Sequence, residues 1–168
     1  MNKTAAALIV AAGRGTRLSD PDNRQPKQYK PIAGRPVLSH TLDAFLIHPR
    51  ISKIMTVIHA DDTALYNAAV AAANLGANGT ELLTALGGAT RQKSVLAGLQ
   101  ALAGAGCELV LIHDAARPFI SGKVIDGILA RLDAGADGVL AAIPVVDTLK
   151  RSAEPGQPLQ TVDRTGLW

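Results

Sequence analysis

Residues 5–18 read AAALIVAAGRGTRL, an apolar run that ends in a turn with glycines at 13 and 15. A short continuous apolar stretch bounded by glycine suits a strand buried on both faces of a parallel sheet. Glycine opens the left-handed backbone region and lets a ligand approach the main chain, and successive amides in such a turn form a nest for an anion. A purely structural tight turn uses the same residues. Two commoner phosphate loops are excluded. A dinucleotide fingerprint needs a third glycine where Leu18 stands, and no Gly-Lys-Ser/Thr completes a P-loop.

Working outward, residues 54–59 and 109–113 repeat the pattern of an apolar run ending in polar residues and read as further buried strands. Residues 36–46, 61–75 and 91–102 space their apolar side chains helically, with Pro36 as a first-turn residue and Asp61 or Asp62 as a cap. Residues 121–132 continue as helix and 138–143 as an extended segment. The expected fold is α/β, an open and mostly parallel Rossmann-like sheet flanked by helices. Residues 144–165 change character, with a Pro-, Gly- and polar-rich stretch at 152–158 between two strand-like stretches, and predict a protruding β-arm. An arm cannot bury both its faces alone, so packing on a second subunit is expected beside the plain reading of a surface hairpin. Residues 1–168 read as one domain. An arm followed by Gly-Leu-Trp, with no closing helix, predicts that the carboxy-terminal part of the fold lies beyond Trp168.

Composition narrows the function. With 48% hydrophobic residues the chain can bury a full core, and with 3% aromatics it lacks stacking platforms for single-stranded nucleic acid. The formal charge is only +3, and positive charge gathers locally, with Arg14, Arg17, Arg24, Lys27, Lys30 and Arg35 set against Asp20 and Asp22. A basic segment beside a glycine turn suits a polyphosphate rather than a nucleic-acid face, and a plain solvated basic loop is the other reading of the charge alone. Cys107 is the only cysteine, so no intrachain disulfide forms. No signal-peptide pattern or membrane-length apolar run is present, and a cytoplasmic protein with no membrane partner is expected.

Arg17 and Lys27 flank a Pro-, Asp- and Asn-rich loop that can bring a guanidinium and an ammonium to the same phosphates. Nucleotidyl transfer builds negative charge on the α-phosphoryl oxygens and the departing pyrophosphate, which fixed cations stabilise. Asp114 follows a buried strand, where open α/β sheets collect ligands, although a helix-cap or loop carboxylate sits there equally well. His40, His48, His59 and His113 have no metal-like spacing, and Ser94 and Ser121 lack partners for a hydrolase triad.

AAGRGTRL, together with PKQY at 26–29, resembles the signature of the 2-C-methyl-D-erythritol 4-phosphate cytidylyltransferase family. GGATRQKSVLAGL from Gly87, HDAARPF from His113, VVDTLKR from Val145 and TVDRTGLW from Thr161 follow in that family's order and approximate spacing. The resemblance implies a nucleotidyltransferase fold and transfer of CMP from CTP to methylerythritol phosphate, with Mg²⁺ or another divalent cation. It implies that Ala11, Ala12, Gly13 and Gly15 lie along the triphosphate and that Arg17 and Lys27 are catalytic. Gly88, Arg91, Ser94, Asp114 and Ala115 would complete the CTP site. Asp114, Arg117, Thr148 and Arg164 would take the polyol phosphate, with Asp114 also the metal contact. It further implies a homodimer through the arm, with Thr148 and Arg164 serving the neighbour's site, and further chain after Trp168, in some relatives a fused cyclodiphosphate synthase. A ribitol-5-phosphate cytidylyltransferase shares the glycine loop, PKQ and HDA-x-RP, but TVDRTGLW argues against it. A sugar-nucleotide pyrophosphorylase shares only the first motif. A non-catalytic CTP-binding domain is the alternative outside the enzymes.

Overall fold

The computed structural model describes residues 3–14, 25–76, 78–154 and 156–168. In chain order they form β1 (Ala5–Val10), the short strands β2 (Pro31–Ile32) and β3 (Arg35–Pro36), helix α1 (Val37–Leu46) and β4 (Ile51–Ile58). Then come α2 (Thr63–Ala71), β5 (Glu81–Leu86), α3 (Arg91–Leu102), β6 (Leu109–Asp114), α4 (Gly122–Asp133), β7 (Lys150–Arg151) and β8 (Gln160–Thr161). The main sheet has the order β5-β4-β1-β6, and every pairing in it is parallel.

The central strand is buried on both faces, as its sequence predicts. Side chains alternate across a strand, so Ala5, Ala7 and Ile9 join Leu38, Leu42, Phe45, Ile125 and Leu129 on one side. Ala6 and Leu8 face the other way with Met55, Val57 and Leu102. Each fully buried Leu or Ile contributes on the order of 1.5–3 kcal/mol. Helix α3 covers the second face at close range because Gly98 has no side chain there. A Cβ at that position would lie 2.7 Å from Val57 Cγ2 and 2.8 Å from Leu8 Cδ1. On the first face, Ser39 Oγ donates to the Ala69 carbonyl at 2.8 Å and joins α1 to α2, while Thr41 Oγ1 donates to the Ala115 carbonyl at 2.8 Å and joins α1 to the end of β6.

Four local readings change. Residues 138–143 form no ladder with any described strand, and Leu140 and Ile143 are exposed, because β6 pairs only with β1 among the described strands. Helix α2 ends at Ala71 rather than 75, since the Asn74 amide and side chain both donate to the Asp43 carboxylate and draw the chain off the helix axis. Pro36 is the N-cap of α1 rather than inside its first turn. Asp62 occupies the N-cap of α2 yet makes no capping bond with its side chain. The structure also adds β5, whose Glu, Leu and Ala residues favour helix intrinsically and which is held as a half-exposed edge strand by its ladder with β4.

The two interior glycines of α3 and α4 differ in what surrounds them, which gives a paired expectation. Gly98→Val is expected to lose about 1–3 kcal/mol by overpacking, whereas a Cβ at Gly127 meets nothing within 4 Å and Gly127→Ala is expected to gain about 0.5–1 kcal/mol. Urea unfolding of the two variants measures both signs.

Candidate active site

All four strands of the main sheet deliver their carboxyl ends to one edge, and the backbone pairing runs one residue past three of them. Ala11 N–H donates to the Val57 carbonyl at 2.8 Å, Gly87 N–H to Ile58 at 2.8 Å and Ala115 N–H to Val10 at 3.2 Å. Succession runs from β1 outward to β4 and β5, then crosses back to β6 on the other side of β1. That reversal is the switch point where open α/β sheets bind ligands. The glycine turn after β1 and Asp114 at the end of β6 flank it.

The turn is held from behind. Gln28 is 3% exposed, and its Nε2 donates to the carbonyls of Ala11 at 2.5 Å and Gly13 at 3.2 Å. The amides of Ala12 and Gly13 donate to no described group, the arrangement an incoming anion needs. Across the strand tips Gly87 packs so closely that a Cβ would lie 2.4 Å from Ala12 Cβ, and one on Gly88 would lie 2.6 Å from Lys93 Cβ. The double glycine is therefore a packing requirement of the site. Thr90 caps α3 by accepting from Lys93 N–H at 3.2 Å. Ser94 is buried in the first turn, where its Oγ accepts from Gly88 N–H at 3.1 Å and donates to the Thr90 carbonyl at 3.0 Å.

Asp114 gathers two guanidinium groups. Arg91 donates to its Oδ1 from Nε at 3.1 Å and Nη2 at 2.8 Å, while Arg117 Nε lies 3.1 Å from Oδ2. These two arginines and Asp114 line an open cleft of about 1270 Å³ together with the exposed Lys27. Ala115 is buried, with its N–H and its carbonyl both bonded, and so fixes the segment that carries Asp114. His113 packs edge-on to Phe45 at 5.2 Å and bonds the Arg117 carbonyl at 2.8 Å.

Gly15 and Arg17 lie outside the described residues. Thr148 and Arg164 are exposed on the β7–β8 arm, where an Arg164 guanidinium nitrogen donates to the Val146 carbonyl, and no described hydrogen bond links either to the sheet edge. Three residues beside the turn were not singled out from the sequence, namely Gln28, Tyr29 and Arg14. Gln28 and Tyr29 stand in the PKQY block next to Lys27, which was their only signal. Burial raises the Tyr29 phenol well above the ordinary tyrosine range, and the Asp62 charge adds to that rise.

A parallel sheet that presents a glycine turn, an ion-paired acidic residue and converging cations at its switch point defines a nucleotidyltransferase-type α/β domain. The family model described as 2-C-methyl-D-erythritol 4-phosphate cytidylyltransferase matches residues 5–168. The chain belongs to that family. Among curated relatives, the bifunctional enzyme IspD/IspF of Agrobacterium fabrum is 50% identical over 161 residues, covering 96% of this chain and 39% of its own length. The protein of the same name from Rhodospirillum rubrum is 48% identical over 165 residues, covering 97% of this chain and 40% of its own. The crystal structure of 4-diphosphocytidyl-2C-methyl-D-erythritol synthase from Anaerococcus prevotii superposes with a TM-score of 0.77 at 28% identity, covering 99% of this chain and 67% of that one. The chain thus spans about two-fifths of the curated relatives it matches.

Ser94→Ala deletes the acceptor for Gly88 N–H in a buried position. A loss of about 1–3 kcal/mol is expected, read by denaturant unfolding, and a loss below about 0.5 kcal/mol would show that another group takes over the amide.

Proposed function

We propose that the polypeptide carrying this chain transfers CMP from CTP to 2-C-methyl-D-erythritol 4-phosphate, releasing pyrophosphate and forming 4-diphosphocytidyl-2-C-methyl-D-erythritol for isoprenoid synthesis. The observation that carries this reading is the convergence of Lys27, Arg91 and Arg117 on one cleft beside the switch point, with unpaired amides in the neighbouring glycine turn, in a member of this family. An oxygen of the polyol phosphate attacks the α-phosphorus of CTP. A new P–O bond forms, the bond from the α-phosphorus to the bridging oxygen breaks, and that oxygen leaves with pyrophosphate. No covalent enzyme intermediate is needed.

Ala11, Ala12, Gly13 and Gly15 take the triphosphate, and Arg17 and Lys27 neutralise the charge that grows on the α-phosphoryl and leaving oxygens. Gly88, Arg91 and Ser94 form the nucleoside side, where Ser94 acts by fixing Gly88. Asp114 and Ala115 border both substrates. Arg117, with Thr148 and Arg164 from a partner subunit's arm at 144–165, grips the monoester phosphate, for which a forked guanidinium is well matched. The reading includes a homodimer acting in the cytoplasm.

Among the described residues no group of three or more metal-ligating side chains occurs. Asp114 is the carboxylate of the cleft to which we assign metal contact, and with Arg91 and Arg117 already on its two oxygens it fits a divalent ion held chiefly by substrate phosphates and water. Bound there, Mg²⁺ would supply further charge neutralisation on the phosphates.

Pyrophosphate release should be measured for the full-length polypeptide with methylerythritol phosphate, ribitol phosphate and hexose 1-phosphates against all four nucleoside triphosphates. Turnover confined to CTP with methylerythritol phosphate is expected, and preference for another acceptor would overturn the substrate assignment. Lys27→Ala is expected to lower kcat roughly 10²-fold or more, with a smaller change in KM for CTP. An unchanged kcat removes Lys27 from the catalytic machinery.

A further inference from the structure

Arg14 sits inside the glycine turn, yet its charge is taken up by the chain that follows β4. Its Nη1 donates to Asp62 Oδ1 at 3.1 Å, and its Nη2 donates to Asp61 Oδ2 at 2.8 Å and to His59 Nδ1 at 2.5 Å. All three partners belong to the segment that joins β4 to α2. Asp62 is 1% exposed, its side chain leaves the helix cap unfilled, and Arg14 is the only cation within ion-pair distance among the described residues. Its second oxygen, Oδ2, and the hydroxyl of Tyr29 are both buried without a described partner. Tyr29 and Tyr66 are buried in the same core cluster, and the Asp62 charge adds to the rise that burial gives the Tyr29 phenol.

A carboxylate this deep is costly to bury and is a poor choice for a mere fold staple, since apolar residues do that job at least as well. Its placement has a narrower consequence. Gln28 pulls on the carbonyls of Ala11 and Gly13 from one side, while Asp62 anchors the next residue, Arg14, from the β4 side. Lys27, Gln28 and Tyr29 form a single 3-10 turn, so the bonds from Gln28 to the Ala11 and Gly13 carbonyls also fix the base of Lys27.

We propose that the Asp62–Arg14 pair, with Gln28, is a positioning network that sets the triphosphate turn and Lys27 at their reacting distance. Arg14 and Asp62 are positioning residues, because both are engaged with each other rather than with substrate. The inference rests on the CTP reading given above.

The test uses the full-length polypeptide with CTP and methylerythritol phosphate, comparing Arg14→Ala, Arg14→Lys, Asp62→Asn and the Arg14→Ala/Asp62→Asn double variant. Arg35→Ala is the control, since Arg35 makes a similar clamp to Asp43 and the Ala72 carbonyl away from the turn. Each of Arg14→Ala and Asp62→Asn should lower kcat/KM about 10-fold or more, chiefly through kcat, with the double variant no worse than Arg14→Ala alone. Arg14→Lys should recover part of that loss. Arg35→Ala should lower Tm while keeping kcat/KM within about twofold. Should Asp62→Asn fail to fold, the two half-exposed Arg14 variants decide the matter. Variants that melt earlier but keep wild-type kcat/KM when folded overturn the network and leave the CTP reading standing. A wild-type enzyme that neither binds nor turns over CTP removes both.

Discussion

The architecture depends on burying β1 from both sides. A strand in this position must present small or compact residues to two helical layers at once, and Ala5, Ala6 and Ala7 do so at its start. Gly98 lets α3 settle directly on Leu8 and Val57. Because β1 is clamped between β4 and β6 as well as between helices, the residue after it cannot drift. Ala11, Gly87 and Ala115 are each pinned to a neighbouring strand within one residue of leaving the sheet. The precision of the edge is thus inherited from the core, the usual advantage of building a site on rigid elements.

Electrostatics at that edge are more selective than the sequence suggests. The basic segment starting at Arg14 looks uniformly attractive to phosphate, yet Arg14 is matched by two carboxylates and turned toward α2. On the far side, two guanidinium groups share the single carboxylate of Asp114, which leaves an excess of positive charge, and the exposed Lys27 adds to it across the cleft. Exposed ion pairs of this kind contribute roughly 0–1 kcal/mol to stability. Their value lies in orientation, since Asp114 holds the forks of Arg91 and Arg117 toward a common space.

Sequence made the strongly patterned elements legible. The run AAALIV and the helix at 91–102 begin and end where the pattern places them, because both are fixed by local signals, a glycine turn in one and a threonine cap in the other. Elements fixed by partners were not legible. The β5 strand is dictated by a ladder rather than by its own residues, and 138–143 has strand-like residues but no described ladder to join. The site divides in the same way. Glycines, Lys27 and the Asp114 block were visible as motifs, and the structure brings Lys27, Arg91, Asp114 and Arg117 to one cleft. Asp62 passed for a helix cap, since nothing local says that a carboxylate will turn inward to meet an arginine 48 positions earlier.

The arm is built on a different principle from the sheet. Its strands β7 and β8 contribute two residues each in an antiparallel pair, extended by bonds from Val162 N–H to the Leu149 carbonyl and Val145 N–H to the Leu167 carbonyl. A two-stranded hairpin is marginal in water, and Val146, Leu159 and Trp168 are 76%, 63% and 73% exposed. Within the proposed dimer, order in the arm would therefore come from the surface it lies on, and Thr148 and Arg164 would acquire fixed positions only on docking. The triphosphate half of the reaction would then draw its geometry from a buried strand within one subunit. The acceptor half would draw its geometry from an interface, so that subunit concentration and acceptor binding are thermodynamically linked.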